Sequence, residues 1–372
     1  MSQTLKISVI GTGYLGATHA ACMSKLGYTV VGIDSDSAKI SALQKGQLPF
    51  YEPGLAELLV EQLATGRLTF TTSFESAKDA DIHFLCVGTP QKAGSNAADL
   101  TYVNGAFDQL LPHLKVGSLV AGKSTVPVGT ADLLAAKLDA QAPHSDLAWN
   151  PEFLREGFAI EDTLEPNRLV VGVRKPESEK LLAELYAPLL AAGVPWISSD
   201  LRTAELVKVA ANSFLATKIS FINAMAEICE AAGGDVTVLA KAIGYDPRIG
   251  SRFLQAGIGF GGGCLPKDIR AFMARAEEIG ANQAVEFLRE IDAINLRART
   301  RMVDVVSSEL SQGLKGARIA VLGAAFKPDS DDVRDSPALD IAASLLAKGA
   351  SVVVHDPKAI DNARLRFPNL EF

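Results

Sequence analysis

The sequence predicts an α/β protein in which two domains built on parallel sheets flank a central region of long helices. Three observations support this prediction. A strand, a glycine-rich turn, a helix, a second strand and an acid open the chain; further strands alternate with helices to about residue 199; and the opening pattern returns at residue 318. We therefore expect domains at residues 1–199, 200–312 and 313–372, in keeping with roughly 150 residues per domain.

The first element is a buried strand over Lys6–Ile10, after which the sequence reads GTGYLG and then a helix over Ala17–Leu26. A second strand over Tyr28–Ile33 ends at Asp34, 18 residues beyond the last glycine of the turn. Glycines at this spacing permit a tight turn and let the backbone approach a pyrophosphate, while the acid accepts hydrogen bonds from the adenosine ribose. Asp36 follows and no arginine stands nearby, so a 2′-phosphate would be repelled.

These features predict a Rossmann-like domain that binds NAD rather than NADP. The alternative is a glycine turn that binds no ligand. The candidate cofactor residues of this unit are Gly11, Gly13, Tyr14, Leu15, Gly16 and Asp34.

Further strands alternate with helices, as in an open parallel sheet, and are predicted at Ile82–Val87, Leu119–Lys123, Leu147–Trp149 and Arg168–Val173. Thr89 and Thr125 follow two of these strands closely. Because open parallel sheets bind ligands at the carboxyl ends of their strands, both threonines are candidate cofactor contacts. Alternatively, their hydroxyl groups satisfy the backbone of the turns.

The pattern changes near residue 200, where long helical stretches run over Leu201–Ala232 and Asn282–Gln312. Such helices between two sheet domains often form a subunit interface. From Arg318 the strand pattern returns with a degraded glycine signature that suits a different nucleotide, and Ser351–Asp356 echoes the second strand. Two strands make a poor sheet, so we expect this second Rossmann-like domain to be incomplete at the C-terminus or to need partners.

Composition limits the function classes. The net charge of −7 argues against nucleic acid or an anionic membrane as the main partner. The N-terminus lacks a secretory signal pattern and no apolar run approaches a membrane span, so we expect a soluble cytoplasmic protein. No cysteine or histidine spacing predicts a metal site, and Cys22, Cys86 and Cys229 stand in apolar segments typical of buried thiols.

The most informative segment is GFGGGCLPKD at residues 259–268, in which Cys264 follows a run of glycines. Glycines leave room for a substrate to reach the sulfur, and the nearby Lys267 favours the thiolate. Asp268 can pair with Lys267 or position a water. A nicotinamide site and an activated cysteine are together the groups needed to oxidise an aldehyde through a thioester.

Two further clusters carry chemistry. Lys208 and Asn212 stand four residues apart on one predicted helix face, where a cation and an amide can hold an oxyanion; a solvated face is the alternative. Glu152 and Glu156 follow a strand end, and Pro151 is expected to start a helix there. Glu152 is then either an activator of water or an acid that stabilises the helix start. The cations suggested for an anionic ligand are Arg248, Lys267 and Lys327.

These motifs together resemble the family of nucleotide-sugar 6-dehydrogenases, and within it the bacterial UDP-glucose 6-dehydrogenases. The resemblance spans nearly the whole chain and rests on GTGYLG (11–16), VGTP (87–90), KSTVPVGT (123–130), NPEFLREG (150–157), KVAAN (208–212), GFGGGCLPKD (259–268) and FKPDSDDVRDS (326–336). Members of this family usually continue beyond the strand that ends at Asp356, so the resemblance implies a shortened C-terminal domain.

The resemblance also implies a role for each matched residue. Cys264 is the expected nucleophile, Lys208 with Asn212 stabilises oxyanions, Asp268 and Thr125 hold a water, and Glu152 is the general acid or base. The expected cofactor contacts also include Lys39, Thr89, Thr125, Glu156, Lys267 and Arg334. The expected substrate contacts are Glu152, Phe153, Leu154, Lys208, Asn212, Arg248, Phe253, Gly257, Gly261 and Lys327, of which Arg248 is implied to reach the substrate of a neighbouring subunit.

The reaction so implied is the oxidation of UDP-glucose to UDP-glucuronate by two hydride transfers to NAD, in a homodimer serving polysaccharide biosynthesis. Three alternatives remain open at this point. A GDP-mannose or other nucleotide-sugar 6-dehydrogenase would keep the cysteine chemistry. A two-electron hydroxyacid dehydrogenase would release one NADH per substrate, and a non-catalytic NAD-binding protein would release none.

Overall fold

The computed structural model describes residues 5–372 and, within them, ten strands and fourteen α-helices. The strands are β1 (Lys6–Ile10), β2 (Thr29–Ile33), β3 (Leu68–Thr71), β4 (Ile82–Leu85), β5 (Leu119–Gly122), β6 (Asp146–Trp149), β7 (Leu169–Gly172), β8 (Trp196–Ser199), β9 (Arg318–Leu322) and β10 (Ser351–His355). The helices are α1 (Tyr14–Lys25), α2 (Ser37–Gln44), α3 (Leu55–Ala64), α4 (Thr101–Leu110), α5 (Thr130–Gln141), α6 (Ala159–Leu164), α7 (Pro176–Leu185), α8 (Ala187–Ala191), α9 (Leu201–Ala232), α10 (Val236–Gly244), α11 (Leu265–Glu278), α12 (Phe287–Glu309), α13 (Pro337–Ala347) and α14 (Ile360–Arg366).

The chain divides into two compact units, one ending at Lys208 and the other beginning at Val209. The first unit is built on a sheet of strand order β3-β2-β1-β4-β5-β6-β7-β8. In this order β1 and β4 are neighbours although they are not consecutive in sequence. The chain therefore winds outward in both directions from this pair, and the loops after β1 and β4 meet where an open α/β sheet binds its ligand.

Burial explains why these strands form at the centre of the first unit. β4, β5, β6 and β7 are buried along their whole length, as expected of strands covered on both faces. One apolar core packs α1, α3 and α7 against one face, and a second packs α4 and α5 against the other. This two-sided burial holds the strand ends, and the loops they carry, in fixed positions.

The alternation of strands and helices predicted parallel pairing, and one pair differs. β6 and β7 are antiparallel and meet at a single register position, Trp149 opposite Gly172. The connection between them, residues 150–168, contains the six-residue helix α6 and otherwise no helix or strand. Strands β3 and β8, which form the two edges of this sheet, were not predicted.

The second unit contains the helices from residue 209 onward and a parallel pair, β9 and β10. The pair packs with α13 over a core that includes Leu339, Leu345 and Val354. An isolated bridge joins Val353 of β10 to Glu371. The predicted α/β class, with a Rossmann-like first domain, a long central helix and a small C-terminal sheet, is confirmed.

The helices predicted from residue 201 onward agree closely with those of the structure. α9 covers the predicted stretch of Leu201–Ala232, while the stretch predicted over Asn282–Gln312 divides into a short 3-10 helix and α12. A search of residues 5–372 finds no helix with the length and hydropathy needed to cross a membrane.

Candidate active site

The turn after β1 requires glycine at two of its three glycine positions, Gly11 and Gly16. Gly11 has φ of +88°, and its amide donates to the carbonyl of Ile33 at 2.7 Å. A Cβ atom on Gly16 would lie 1.8 Å from the carbonyl oxygen of Gly11, because α1 begins directly against the turn. These two glycines are therefore required by the fold itself.

Gly13 is different, because its φ of −70° is open to any residue and, apart from its two chain neighbours, no residue within 5–372 has an atom less than 4 Å from the Cβ it would carry. Protein packing therefore gives no reason for glycine at this position. A ligand phosphate approaching the backbone at the N-terminus of α1 does give one. The cradle thus fits the pyrophosphate of a dinucleotide, with Tyr14 and Leu15 in the first turn of the helix behind it.

Asp34 lies at the end of β2 and is held by the same turn. Its carboxylate accepts hydrogen bonds from the Thr12 amide at 2.8 Å and the Asp36 amide at 3.1 Å, and it forms an ion pair with Lys39 at 2.8 Å. Burial opposes ionisation, but Lys39 and these amides outweigh it and hold the pKa of Asp34 below its ordinary value. The carboxylate remains an acceptor for ribose hydroxyls, and the cation of Lys39 lies beside it.

The two threonines at the strand ends lie close together. The Thr89 hydroxyl donates to the carbonyl of Thr125 at 2.7 Å, and the Ser124 hydroxyl donates to the carbonyl of Val87 at 2.6 Å. These bonds tie the loop after β4 to the loop after β5. The sequence left open whether the Thr89 hydroxyl contacts the cofactor or bonds the backbone of a turn, and the structure shows the bond to the backbone.

The segment after β6 departs from the prediction. Residues 151–155 have no regular secondary structure, and the next helix, α6, begins at Ala159. Pro151 therefore does not start a helix, and the interpretation of Glu152 as an acid in a first helical turn is wrong. Instead Glu152 Oε2 accepts from the Leu154 amide at 2.5 Å, which folds the segment into a local turn. Glu156 follows, in the turn that precedes α6.

The turn brings Glu152 against α9. Glu152 Oε1 lies 2.9 Å from Lys208 Nζ, and Lys208 is only 4% exposed. The ring of Phe153 lies under two cations, with Arg168 at 3.9 Å and Lys208 at 5.5 Å from its centroid. The structure therefore pairs a half-buried carboxylate with a buried lysine at this end of the first unit.

Two buried charged residues to which the sequence analysis gave no role support this segment. Lys123, at the end of β5, donates to Asn150 Oδ1 at 3.0 Å, and burial lowers the pKa of its ammonium group to about 8. Glu52 accepts from the amides of Gly157 and Ala159, each at 2.7 Å. The position of Lys123 directly after an apolar strand could have indicated it in the sequence, whereas Glu52 lies in an irregular segment before α3 that carries no such pattern.

In the second unit, Cys264 lies directly before α11 and is exposed, whereas Cys22, Cys86 and Cys229 are buried as predicted. Asp268 lies in the first turn of α11 and is 1% exposed. It accepts a hydrogen bond from Asn212 Nδ2 at 2.6 Å and an ion-paired hydrogen bond from Lys267. The predicted pairing of Asp268 with Lys267 is thus present, and α11 presents a thiol and a buried carboxylate one turn apart.

The glycines before Cys264 are packed rather than open. A Cβ on Gly261 would lie 2.1 Å from the carbonyl of Asp335, and one on Gly263 would lie 2.2 Å from the guanidinium of Arg334. The Gly262 amide donates to the Arg334 carbonyl at 2.8 Å. The space beside Gly261 and Gly263 is therefore filled by a neighbouring segment of this chain, and not left open for substrate as the composition suggested.

The remaining predicted residues are more scattered. Arg248 has a side chain 87% exposed and is bound to Asp246 of its own turn. Phe253 has φ of +63° and an exposed ring, and the Gly257 amide donates to Asn223 Oδ1 at 2.8 Å. Lys327 Nζ lies 5.6 Å from the ring of Phe326. Within the second unit, the structure does not bring Arg248 to any other predicted residue among those it describes.

Comparison with known proteins places these features in a family. Models of the UDP-glucose/GDP-mannose dehydrogenase family match the chain as its NAD binding domain at residues 5–190, its central domain at 202–297 and its UDP binding domain at 320–372. The first match confirms NAD as the cofactor and an oxidoreductase as the class of enzyme. The third confirms that the C-terminal region is of a type that binds the UDP moiety of a nucleotide sugar.

Relatives match over nearly the whole chain. A UDP-glucose 6-dehydrogenase of Rhizobium meliloti (strain 1021) is 42% identical over 99% of this chain and 85% of its own length. The solved structure of a UDP-glucose dehydrogenase from the archaeon Pyrobaculum islandicum is 39% identical, with a TM-score of 0.92 over 100% of this chain and 86% of that one. A UDP-D-ManNAc dehydrogenase from Pyrococcus horikoshii is 28% identical, with a TM-score of 0.85 over 95% of this chain and 84% of that one. The chain therefore belongs to the UDP-glucose/GDP-mannose dehydrogenase family.

Proposed function

We propose that this protein oxidises the C6 hydroxyl of UDP-glucose to a carboxylate, giving UDP-glucuronate, through a covalent intermediate on Cys264. The observation that carries the proposal is the exposed Cys264 thiol at the start of α11, one turn from the buried carboxylate of Asp268. A two-electron alcohol oxidation needs no nucleophile, whereas oxidation of the resulting aldehyde to an acid is eased by one. The named activity of the Rhizobium meliloti relative supports UDP-glucose as the substrate.

The proposed chemistry has four steps. The C6 hydroxyl first loses a proton and C6 loses a hydride, which leaves an aldehyde. The Cys264 thiolate then forms a C–S bond to that carbon, giving a thiohemiacetal oxyanion. Loss of a second hydride from the same carbon yields a thioester. Water finally attacks the thioester, the C–S bond breaks, and the thiolate and a carboxylate are released.

Bound NAD supplies the hydride acceptor for both oxidations, one molecule for each. The residues that would hold it are those of the glycine cradle, with Gly11, Gly13 and Gly16 at the pyrophosphate and Asp34 at the adenosine ribose. Support comes from the open space in front of Gly13 and from the ionised state of Asp34. We further propose Tyr14, Leu15, Lys39, Thr89, Thr125, Glu156, Lys267 and Arg334 as cofactor contacts.

The proton-handling groups are Glu152 and Lys208 in the first unit. Their 2.9 Å contact supports a shared proton, with Lys208 stabilising oxyanions and Glu152 acting as general acid or base. In the second unit, the 2.6 Å bond from Asn212 fixes one oxygen of Asp268, which supports an oriented carboxylate for water. We assign Thr125 to the same water. The proposed contacts to the sugar nucleotide further include Phe153, Leu154, Arg248, Phe253, Gly257, Gly261 and Lys327.

We also propose a homodimer, with functional divisions at residues 1–199, 200–312 and 313–372. Support for the dimer comes from α9, where Phe214, Phe221 and Ile228 recur at seven-residue spacing and are 67%, 46% and 57% exposed. An apolar stripe at this spacing lies along one side of a helix and is suited to a second copy of the chain. Sedimentation of the wild-type chain measures this, and a monomer at micromolar concentration would contradict it.

The decisive experiment counts NADH released per UDP-glucose with NAD in excess. We expect two NADH per substrate and UDP-glucuronate as the product. The Cys264→Ser variant should stall or retain a bound ester-like adduct while its affinity for NAD stays near that of the wild type. The matched control is Cys229→Ser, a buried thiol outside the proposed chemistry, which should keep the yield of two.

Each other outcome rejects a specific part of the proposal. One NADH per substrate would indicate a two-electron dehydrogenase, and NAD binding without turnover of any UDP-sugar would indicate a non-catalytic protein. Faster turnover of GDP-mannose than of UDP-glucose would replace the substrate but keep the chemistry. Full formation of UDP-glucuronate by Cys264→Ser would remove Cys264 from its assigned role.

A further inference from the structure

The segment that leads to Cys264 has no regular secondary structure to keep it in place. Residues 256–263 contain no helix or strand, and Gly259 and Gly262 have φ of +100° and +86°. A glycine-rich segment of this kind has a large conformational freedom when it is not held by other groups. The position of the thiol therefore depends on what binds the backbone of this turn.

The side chain of Asn295, on α12, hydrogen-bonds to both the backbone amide and the backbone carbonyl of Phe260. Its Oδ1 accepts from the Phe260 amide at 2.6 Å, and its Nδ2 donates to the Phe260 carbonyl at 3.0 Å. Asn295 is 0% exposed, so both hydrogen bonds are shielded from water. A single amide side chain thus replaces the ladder bonds that a strand would have supplied at this residue.

Arg299 lies one turn further along α12 and donates to the same carbonyl, from Nη2 to Phe260 O at 2.9 Å. It also reaches the segment that packs against the glycines, since its Nη1 lies 2.6 Å from Asp335 Oδ1 and is ion-paired with Asp340. Arg299 is 6% exposed. One guanidinium group therefore joins the cysteine turn to the stretch that contains Arg334.

Asp335 is held in an uncommon conformation at this junction. Its φ is +49°, in the left-handed region, and Arg270 Nη1 lies 3.5 Å from its second carboxylate oxygen. Gly261 fits directly against the Asp335 carbonyl. A backbone conformation of this kind persists only where surrounding contacts impose it. Arg299 and Arg270 supply the ion pairs that hold the Asp335 carboxylate here.

We propose that Asn295 and Arg299 are positioning residues for the nucleophile: they fix the Phe260 backbone and thereby set where Cys264 stands at the start of α11. Neither side chain is assigned to substrate or cofactor. The consequence for catalysis rests on the proposed function, since a misplaced thiol would capture the aldehyde slowly while the first oxidation continued. The consequence for the thiol itself does not depend on that function.

The test uses three variants of the full chain. Asn295→Asp keeps the acceptor for the Phe260 amide and turns the donor into a carboxylate facing the Phe260 carbonyl. Arg299→Gln removes the charge, and Arg299→Lys keeps it but cannot bind the carbonyl and Asp335 in the same fork geometry. The matched control is Arg297→Gln, on the same helix, whose side chain is 49% exposed and pairs with Glu227.

The first readout needs no substrate and is the rate of Cys264 alkylation by iodoacetamide, followed by peptide mass spectrometry. We expect Arg299→Gln and Asn295→Asp to slow it at least about threefold, because the thiol is no longer held at the helix N-terminus that favours its anion. Arg299→Lys should recover part of the rate, and Arg297→Gln should match the wild type. Circular dichroism of each variant confirms that it is folded.

The second readout is the NADH yield from UDP-glucose in the presence of an aldehyde-trapping amine. Arg299→Gln should lower the yield from two toward one and release trapped aldehyde, with a loss of about tenfold or more in complete turnover. Folded Asn295→Asp and Arg299→Lys variants that alkylate at the wild-type rate would overturn the inference, even if Arg299→Gln fails to fold. A wild-type chain that makes no NADH from UDP-glucose would reject the proposed function instead, and the alkylation rates would still decide this inference.

Discussion

The buried pair formed by His83 and Ser8 predicts that acid destabilises the NAD-binding sheet. His83 lies on β4 opposite Ser8 of β1, and the Ser8 hydroxyl is 2.7 Å from His83 Nδ1. Both residues are 0% exposed, and no hydrogen-bond partner for His83 Nε2 is found among residues 5–372. A second proton on this ring would therefore be a charge without a partner in the middle of the sheet that carries the cofactor turn.

Burial is the main cause that lowers the pKa of His83, with Lys115 adding to it, from 6.5 to about 3. The unfolded chain binds a proton at about pH 6.5 and the folded chain does not, so stability falls as the pH drops below that value. The loss grows until the folded imidazole itself titrates near pH 3. Between about pH 7.5 and pH 5.5 the difference in proton binding amounts to about 1.4 kcal/mol for this one residue.

The assay is urea unfolding at about pH 7.5 and pH 5.5, which gives the free energy of unfolding at each pH. His83→Gln cannot titrate and keeps groups able to bond Ser8, so its decrease in stability between the two pH values should be smaller than that of the wild type by about 1.4 kcal/mol. His355→Gln is the control, because His355 is exposed on β10 and its loss should leave the decrease unchanged. An equal decrease in wild type and His83→Gln would refute the reasoning, whatever the absolute stabilities.

Two further predictions concern the cofactor turn. Gly13→Ala should weaken NAD binding at least about tenfold with almost no change in the free energy of unfolding, because the added methyl group would occupy space meant for the ligand and touches no protein group. Gly16→Ala should instead lower the free energy of unfolding by about 1–3 kcal/mol, because its methyl group clashes with the Gly11 carbonyl. Equal losses of stability in the two variants, measured by urea unfolding, would show that Gly13 serves the fold. Asp34→Ala should weaken NAD and lessen discrimination against NADP, because the ribose acceptor is lost while the cation of Lys39 remains beside the site. Titration with both cofactors measures this, and an unchanged preference would reject the ribose assignment.

The parts of this fold that could be predicted are those specified by neighbours in sequence. The strand at Lys6–Ile10 and the helix at Leu201–Ala232 have the bounds that their apolar patterns indicated. Both patterns are long enough to select one periodicity. The helix expected at Pro151 was wrong because the local signal, a proline followed by acids, competes with a turn in which Glu152 binds the Leu154 amide.

The parts that could not be predicted depend on partners far away in the chain. Glu52 binds the amide of Gly157, which is 105 residues distant, and Arg299 binds the carbonyl of Phe260, which is 39 residues distant. The buried state of Lys123 likewise depends on Asn150, from the adjacent strand. Such pairings follow from how strands and helices pack, and a single sequence carries no direct record of them.

The amino-acid order by itself determined the chemistry available to this protein: a glycine turn with an acid for NAD, and a cysteine among glycines followed by Lys-Asp. Both motifs could be recognised in the sequence because each needs particular residue types at short spacing, where the geometry of the chain allows few alternatives. Only the tertiary structure decided which charges are buried and paired, with Glu152 on Lys208, Asp268 on Asn212 and Lys39 on Asp34. Charge pairing in a folded chain depends on distance and on exclusion of water, and packing of the whole chain sets both.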